Sequence, residues 1–208
     1  KGTLVIDGDE FHHMINVSRY HANDQVLLNN GMGLLAQANI QSISKKNAVL
    51  EIIDIKTMNK GNPEIAVAFS LLKNKNDLWI IEKLTELGIK HFFPMETRYS
   101  VRRIIDHKNK NADPLQEKML KTAISAIKQC DNAFLPEIRK VDALEQTIMK
   151  IKEMDYLPIL ASEIEHNQSL ISLLDQHQGQ NLCFFIGPEG GFHPDEFELF
   201  NKHQVSSF

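Results

Sequence analysis

Hydrophobic residues change their spacing near residue 60, and this change divides the chain into two predicted parts. In residues 1–56, short β-rich runs alternate with turns rich in Asp, Asn and Gly. The runs cover residues 4–6, 26–28, 34–40 and 48–55. We expect them to form a small closed β-barrel, because closure removes exposed strand edges. Residues 10–17 fit a short helix.

From residue 64 onward, buried-type strands alternate with amphipathic helices. The strands are predicted over residues 65–72, 89–95, 156–161 and 182–186, with a last one from Val205. Helices are predicted to begin at Asn76 or Asp77, Asp113, Asp142, Ser169 and Pro194. In the helix from Asp113, Cys130 is the last residue of the apolar stripe that is expected to face the core. This alternation predicts an α/β domain with a parallel sheet covered on both faces. The polar joint at 57–63 separates predicted domains 1–60 and 61–208.

The stretch 182–192 is the most informative part of the sequence. Five mostly apolar residues predict a fully buried strand, and a turn with Gly187, Gly190 and Gly191 follows before the helix at Pro194. Ligands bind at this edge of α/β sheets. The turn matches neither the phosphate-binding pattern Gly-x-x-x-x-Gly-Lys-Ser/Thr nor the dinucleotide-binding pattern Gly-x-Gly-x-x-Gly. The nearby Glu189 would also repel a phosphate group. We expect either a ligand held by backbone groups or a tight structural turn.

The composition of the chain bears on its cellular location and on the charge of its binding partner. The chain has 208 residues, of which 42% are hydrophobic, and it contains no apolar run long enough to span a membrane. The two cysteines do not suggest a disulfide framework, so we expect a cytoplasmic protein. The net charge is −4, yet residues 71–140 carry 14 Lys and Arg against 9 Asp and Glu. This basic middle suggests a local anionic partner, with chance clustering as the alternative.

Five ordered motifs resemble those of the RsmE family, the N3-uridine methyltransferases of small-subunit ribosomal RNA within the SPOUT superfamily. The most specific is Ile-Gly-Pro-Glu-Gly-Gly-Phe at 186–192, followed by Asp195 and Glu196. The others are His13 to Arg19, Leu72-Lys73 with 82–88, 94–101, and 126–138. The sequence departs from the family pattern at Lys128, Cys130 and Asn132.

The resemblance implies a PUA-like N-terminal barrel that binds RNA and a SPOUT domain with a C-terminal trefoil knot. It further implies S-adenosylmethionine as the methyl donor, a homodimer and no metal. The family's C-terminal segment is absent, so we expect the native protein to continue beyond Phe208. The residues that the resemblance assigns to the cofactor are Leu160, Ala161, Ile186, Gly187, Glu189, Gly190 and Gly191.

Methylation of uracil N3 requires loss of a proton, so a base or a cation that stabilises the developing anion is needed. Arg98 is the candidate for the cation, since its planar fork suits a uracil oxygen or a phosphate. The alternative role for Arg98 is a surface salt bridge. Lys73 and Lys83 are candidates for RNA contacts, and the alternative is that they are ordinary lysines on a helix surface. The candidate RNA contacts are Arg19, Lys73, Lys83, Arg98, Arg102 and Arg103.

Cys130 and Cys183 are expected to be core residues, because attack by a nitrogen needs no covalent enzyme adduct. The nine histidines show no metal-ligand spacing. Three functions therefore compete. The first is a small-subunit ribosomal RNA methyltransferase. The second is an RNA-binding or ribosome-assembly module with decayed activity, and the third is a SPOUT methyltransferase acting on transfer RNA.

Overall fold

The computed structural model describes residues 2–73, 76–100, 114–130, 132–162 and 168–208. The chain splits into two compact units, Lys1–Lys60 and Gly61–Phe208. No helix in the described part of the chain is both long and apolar enough to cross a membrane.

The first unit is a four-stranded antiparallel sheet with one helical segment. The helix α1 (Gly8–His12) continues directly into a π-helical turn, His13–Val17. The strands follow the order β1-β4-β3-β2. Their bounds are β1 Thr3–Asp7, β2 Gln25–Asn29, β3 Leu34–Ile43 and β4 Asn47–Thr57. Alternate strand residues point inward, and with Met14 of the π-helical turn they form the core, which comprises Met14, Val26, Ala38, Ile40, Ala48 and Leu50.

The strand pairing of this unit differs from the closed barrel that the sequence predicts. Within the described residues, the hydrogen-bonded path begins at β1 and ends at β2 without joining the two. The helical segment covers the apolar face instead, because Met14 is buried in the core and Phe11 and Ile15 pack against it. The helical segment therefore buries the apolar face of this sheet, while β1 and β2 are its two edge strands among the described residues.

The second unit is a parallel sheet in the order β11-β9-β10-β5-β6-β7, with β8 also paired to β6. The strands are β5 Ile65–Ser70, β6 His91–Glu96, β7 Glu137–Ile138, β8 Asp142–Ala143, β9 Tyr156–Leu160, β10 Asn181–Ile186 and β11 Ser206–Ser207. The helices are α2 Asn76–Glu86, α3 Pro114–Gln129, α4 Leu144–Glu153, α5 Leu170–Gln176 and α6 Pro194–Lys202.

Both faces of this sheet are covered, as the alternation of strands and helices predicts. Along β5, Ala66 and Ala68 join one core cluster, whereas Val67 and Phe69 join another. The first cluster packs against α4 and α6, and the second packs against α2 and α3. Successive strand residues point to opposite faces, so one short apolar run contributes to two cores.

Three local predictions need correction. Helix α3 ends at Gln129, so Cys130 lies beyond it and is half-buried rather than on the inner stripe. Helix α4 begins at Leu144, because Asp142 belongs to β8 and forms an ion pair with Lys150. Ile186 is 41% exposed, since β10 ends there at the edge of the sheet.

Candidate active site at the carboxyl edge of the sheet

The order of the strands creates a topological switch point between β5 and β10. From β5 the chain moves to β6 on one side, whereas β10 pairs with β5 and β9. All these pairs are parallel, so their carboxyl ends lie at one edge, where α/β proteins bind ligands. Ser70, Glu96, Leu160 and Ile186 are the last residues of the four strands.

The segment Gly187 to His193, which we call the glycine bend, connects β10 to α6. The Gly191 N–H donates to the Pro188 carbonyl over 2.9 Å, and Gly191 has a φ of +71°. A side chain at Gly191 would be strained in this left-handed conformation. A Cβ added at Gly187 would lie 3.0 Å from the Phe192 ring. Gly191 is thus required by the bend itself, whereas a side chain at Gly187 would fit only if the Phe192 ring moved by a few tenths of an ångström.

The outer surface of the bend offers hydrogen-bond donors beside an apolar group. In the described part of the chain, the N–H groups of Gly187 and Gly190 donate to no protein oxygen. Glu189 and Gly190 are exposed, and the exposed Ile186 precedes them. A Cβ added at Gly190 would come no closer than 3.7 Å to Tyr99, so this glycine is not required by packing.

The end of β9 lies beside the start of the bend. Leu160 is paired in register with Phe185, and the Ala161 N–H donates to the Phe185 carbonyl over 3.2 Å. The Leu160 side chain is buried in the core, whereas Ala161 is half-buried. The seven residues that the resemblance assigns to a cofactor therefore lie at two adjacent strand ends.

The segment Thr97 to Ser100, which we call the arginine loop, follows β6. Thr97 and Ser100 of this loop are buried, and their hydroxyls are hydrogen-bonded together with that of the buried Ser70. The Thr97 hydroxyl lies 3.1 Å from that of Ser70 and 2.9 Å from that of Ser100. The Ser100 hydroxyl also accepts the Thr97 N–H over 3.0 Å. This network anchors the base of the arginine loop to the end of β5.

Glu196 joins the arginine loop to the glycine bend. One oxygen of its carboxylate accepts the Arg98 N–H over 2.8 Å, and the other accepts the His193 N–H over the same distance. The His193 ring completes a capping box at the start of α6 by accepting the Asp195 N–H. The Tyr99 ring lies 5.4 Å from that of His193 in an edge-on contact. The two segments thus pack together on one side of the sheet edge.

The Arg98 side chain projects from this assembly and is 62% exposed. Its Nη2 atom lies 2.9 Å from Asp195 Oδ2. The structure therefore brings a guanidinium group to the start of α6, directly after the glycine bend. The sequence motifs indicate Arg98 and the acidic start of α6. They do not indicate that Glu196 links two loops or that the hydroxyls of Ser70, Thr97 and Ser100 form a buried network. The Glu three positions after a helix N-cap was the available signal for Glu196.

The remaining basic candidates lie in different settings. Arg19 is exposed in the first unit, and Lys73 is exposed after β5. Lys83 on α2 forms ion pairs with Glu82 at 2.8 Å and Glu86 at 3.0 Å, and their hydrogen bonds raise its pKa. Arg102 and Arg103 lie outside the described residues.

Cys183 and the potential metal ligands among the described residues form no reactive cluster at this edge. Cys183 is fully buried in the sheet, and its burial raises the pKa of its thiol. Among the described residues, no group of three or more His, Cys, Asp or Glu side chains is arranged to hold a metal ion. The groups that the described residues bring to this edge include backbone amides, carboxylates and Arg98.

Comparisons with known proteins cover both units. The family model described as "RNA methyltransferase domain" matches residues 59–208, and the one described as "RNA methyltransferase PUA domain" matches residues 6–53. The first match confirms the family that the motifs indicate, and the second confirms a PUA-like first unit.

Curated relatives and a solved structure carry the same name. Ribosomal RNA small subunit methyltransferase E of Bacillus subtilis is 30% identical over 202 residues, covering 94% of this chain and 77% of that protein. Its counterpart in Rickettsia conorii is 25% identical, covering 93% and 75%. The fold matches that of the Neisseria gonorrhoeae enzyme bound to S-adenosyl methionine, with a TM-score of 0.85, 20% identity and coverage of 99% and 82%. This chain belongs to the ribosomal RNA small subunit methyltransferase E family of RNA methyltransferases.

Proposed function

We propose that this protein transfers a methyl group from S-adenosylmethionine to N3 of a uridine in small-subunit ribosomal RNA. The observation that carries the proposal is the packing of the arginine loop, which contains Arg98, against the glycine bend and the start of α6 at one edge of a parallel sheet. The names of the relatives give the class of RNA. The N3 position comes from the family resemblance.

The residues at the two strand ends fit an adenosyl ligand. The N–H groups of Gly187 and Gly190 are available donors, and the exposed side chain of Ile186 offers an apolar surface to an adenine ring. Glu189 is exposed nearby, where a carboxylate suits a cationic sulfonium ligand. Leu160, Ala161 and Gly191 complete the proposed cofactor-binding set. The bound cofactor would supply an already activated methyl group.

Arg98 is proposed to act on the acceptor base. Uracil N3 becomes nucleophilic as its proton leaves, and negative charge spreads onto the neighbouring oxygens. A guanidinium group donates two parallel hydrogen bonds and stabilises that charge. The Arg98 side chain is exposed, and its ion pair with Asp195 lies at the surface, where such pairs are weak enough to exchange partners.

Basic residues are proposed to bind the phosphates of the RNA. This set comprises Arg19 on the PUA-like unit with Lys73, Arg102 and Arg103, whereas Lys83 is left out because Glu82 and Glu86 already pair with it. We also infer a homodimer, a knotted C-terminal region and a cytoplasmic location, all of which follow from the family and its ribosomal substrate.

The test is mass spectrometry of nucleosides from small-subunit ribosomal RNA of a deletion strain, followed by methylation of that RNA in purified subunits by the full-length protein. We expect 3-methyluridine to be absent from the deletion strain and restored by the protein. An unchanged nucleoside profile would contradict the proposal. Methylation of transfer RNA alone would support the alternative substrate, and cofactor binding without any transfer would support a decayed enzyme.

Arg98→Ala tests the role given to the guanidinium group. We expect kcat to fall by about 10²-fold to 10³-fold, as when one transition-state donor is removed, with little change in cofactor affinity. Arg98→Lys keeps the charge but loses the fork, so it should recover only part of the activity. Full activity in Arg98→Ala would exclude this residue from catalysis.

A further inference from the structure

We propose that Glu196 is a positioning residue that fixes Arg98 relative to the glycine bend during methyl transfer. This inference rests on the proposed function, because it assigns Arg98 to the acceptor base and the bend to the methyl donor. Glu196 itself is 5% exposed, so it acts through the two backbone segments that it binds.

The contacts of Glu196 are those of a link between two loops. Each carboxylate oxygen accepts one backbone N–H at 2.8 Å, from Arg98 and from His193. Hydrogen bonds from N–H groups to a buried carboxylate are charge-assisted and stronger than neutral ones. Arg98 and Glu196 are 98 positions apart in the sequence. The carboxylate therefore joins the loop that follows β6 to the bend that follows β10.

A capping role alone does not account for this geometry. Capping the start of α6 requires only the bond to the His193 N–H, which is one half of the capping box. The second carboxylate oxygen accepts the Arg98 N–H, which belongs to the loop after β6. There the Thr97 hydroxyl network holds the other side of the same loop. The backbone of Arg98 is thus fixed from two directions, while its guanidinium group remains exposed.

This arrangement matters for a transfer that depends on alignment. The acceptor nitrogen must lie in line with the methyl group, and a displacement of about 1 Å can cost about 10²-fold in rate. Arg98 orients the acceptor in the proposed mechanism, whereas Gly187 and Gly190 hold the donor. Glu196 sets the distance between these groups without touching either ligand.

The test compares Glu196→Gln with Glu198→Gln in the full-length protein. Both variants lose one carboxylate from α6, but Glu198 is exposed. In Glu196→Gln the new side-chain amide keeps one acceptor and turns an NH2 group towards the other backbone N–H, so one link is lost. We expect kcat to fall by about 30-fold in this variant, with the cofactor dissociation constant within about threefold of wild type. Glu198→Gln should match wild type.

A second measurement does not depend on activity. Amide hydrogen exchange of Arg98 and His193 should accelerate in Glu196→Gln and not in Glu198→Gln. Normal kcat in folded Glu196→Gln, or equal losses of kcat and cofactor affinity, would overturn the positioning role. If that variant does not fold, Glu196→Asp keeps the charge on a side chain one methylene shorter, and the same split between kcat and affinity is expected.

The two proposals fail in different ways. A wild-type protein that transfers no methyl group overturns the proposed function and, with it, the catalytic purpose of Glu196. In that case, faster exchange of both amides in Glu196→Gln would still support the physical link. Unchanged exchange would overturn the link even in an active enzyme.

Discussion

Tyr156 is a buried polar residue at the amino end of β9, far from the strand ends that form the proposed site. Its hydroxyl donates to Glu64 Oε2 over 2.6 Å, and the His91 ring lies 5.5 Å from its own ring. Burial and, secondarily, the hydrogen bond to the carboxylate raise the pKa of Tyr156 far above its usual value. The folded protein therefore favours the neutral phenol.

This pKa shift predicts a loss of stability in alkali. The unfolded chain releases the Tyr156 proton above about pH 10, whereas the folded chain retains it, so the free energy of unfolding falls as the pH rises. The contribution is fully present below about pH 10. Above it, the advantage of wild type over Tyr156→Phe should shrink by about 1.4 kcal/mol per pH unit.

Urea unfolding of the two proteins between pH 7 and pH 11 measures this difference. At neutral pH we expect Tyr156→Phe to be less stable by about 1.5–3 kcal/mol, because it loses a hydrogen bond to a charged group. Trp79 is the single tryptophan and lies in the same unit, so its fluorescence can follow the transition. A difference that stays constant up to pH 11 would contradict the shift.

At the scale of elements, the three glycines of the bend are not equivalent. Gly191 is required by its φ of +71°, and Gly187 packs tightly against the Phe192 ring. Gly190 has neither constraint, since an added Cβ would make only ordinary contacts with Tyr99. A glycine that the fold does not require is the one whose open surface is available to a ligand.

Substitution by Ala separates these roles. Gly191→Ala should lose about 1–2 kcal/mol, because a side chain is strained in the left-handed region. Gly190→Ala should unfold at the wild-type temperature but bind S-adenosylmethionine at least about 10-fold more weakly, since its methyl group blocks the approach to the amide. Thermal unfolding and calorimetry measure both effects. Unchanged cofactor affinity in Gly190→Ala would place the donor elsewhere.

Elements with a repeating pattern were predictable from the sequence, whereas contacts between distant segments were not. Strand β5 is long enough to be seen as a continuous apolar run, and helix α3 is long enough to display a period of 3.6. The two-residue strands β7 and β8 have no period to detect. The pairing of Glu196 with Arg98 is likewise a tertiary contact, and no local spacing encodes it. The motifs therefore located the proposed site, and the structure supplied its linkage.

At the scale of the whole molecule, basic residues differ in how many acidic side chains pair with them. Residues 71–140 carry 14 basic against 9 acidic side chains, although the chain is acidic overall. Lys73 is exposed and forms no ion pair with another described residue. Lys83, ten positions later, lies between Glu82 and Glu86. The two lysines carry the same formal charge, but only that of Lys83 is offset by neighbouring carboxylates.

The paired lysines give a test of the RNA-binding surface. Neutralising one phosphate contact changes the slope of log affinity against log salt by about 0.7 to 0.9. Lys73→Ala should therefore weaken binding to small-subunit ribosomal RNA and reduce this slope by about one contact. Lys83→Ala removes the same formal charge but should leave the slope nearly unchanged, because its partners already neutralise it. Filter binding between 50 and 300 mM KCl, about the range in which such contacts are resolved, measures both slopes. An equal loss of slope in the two variants would show that RNA displaces the acidic partners of Lys83, and that ion pairing within α2 does not select the binding surface.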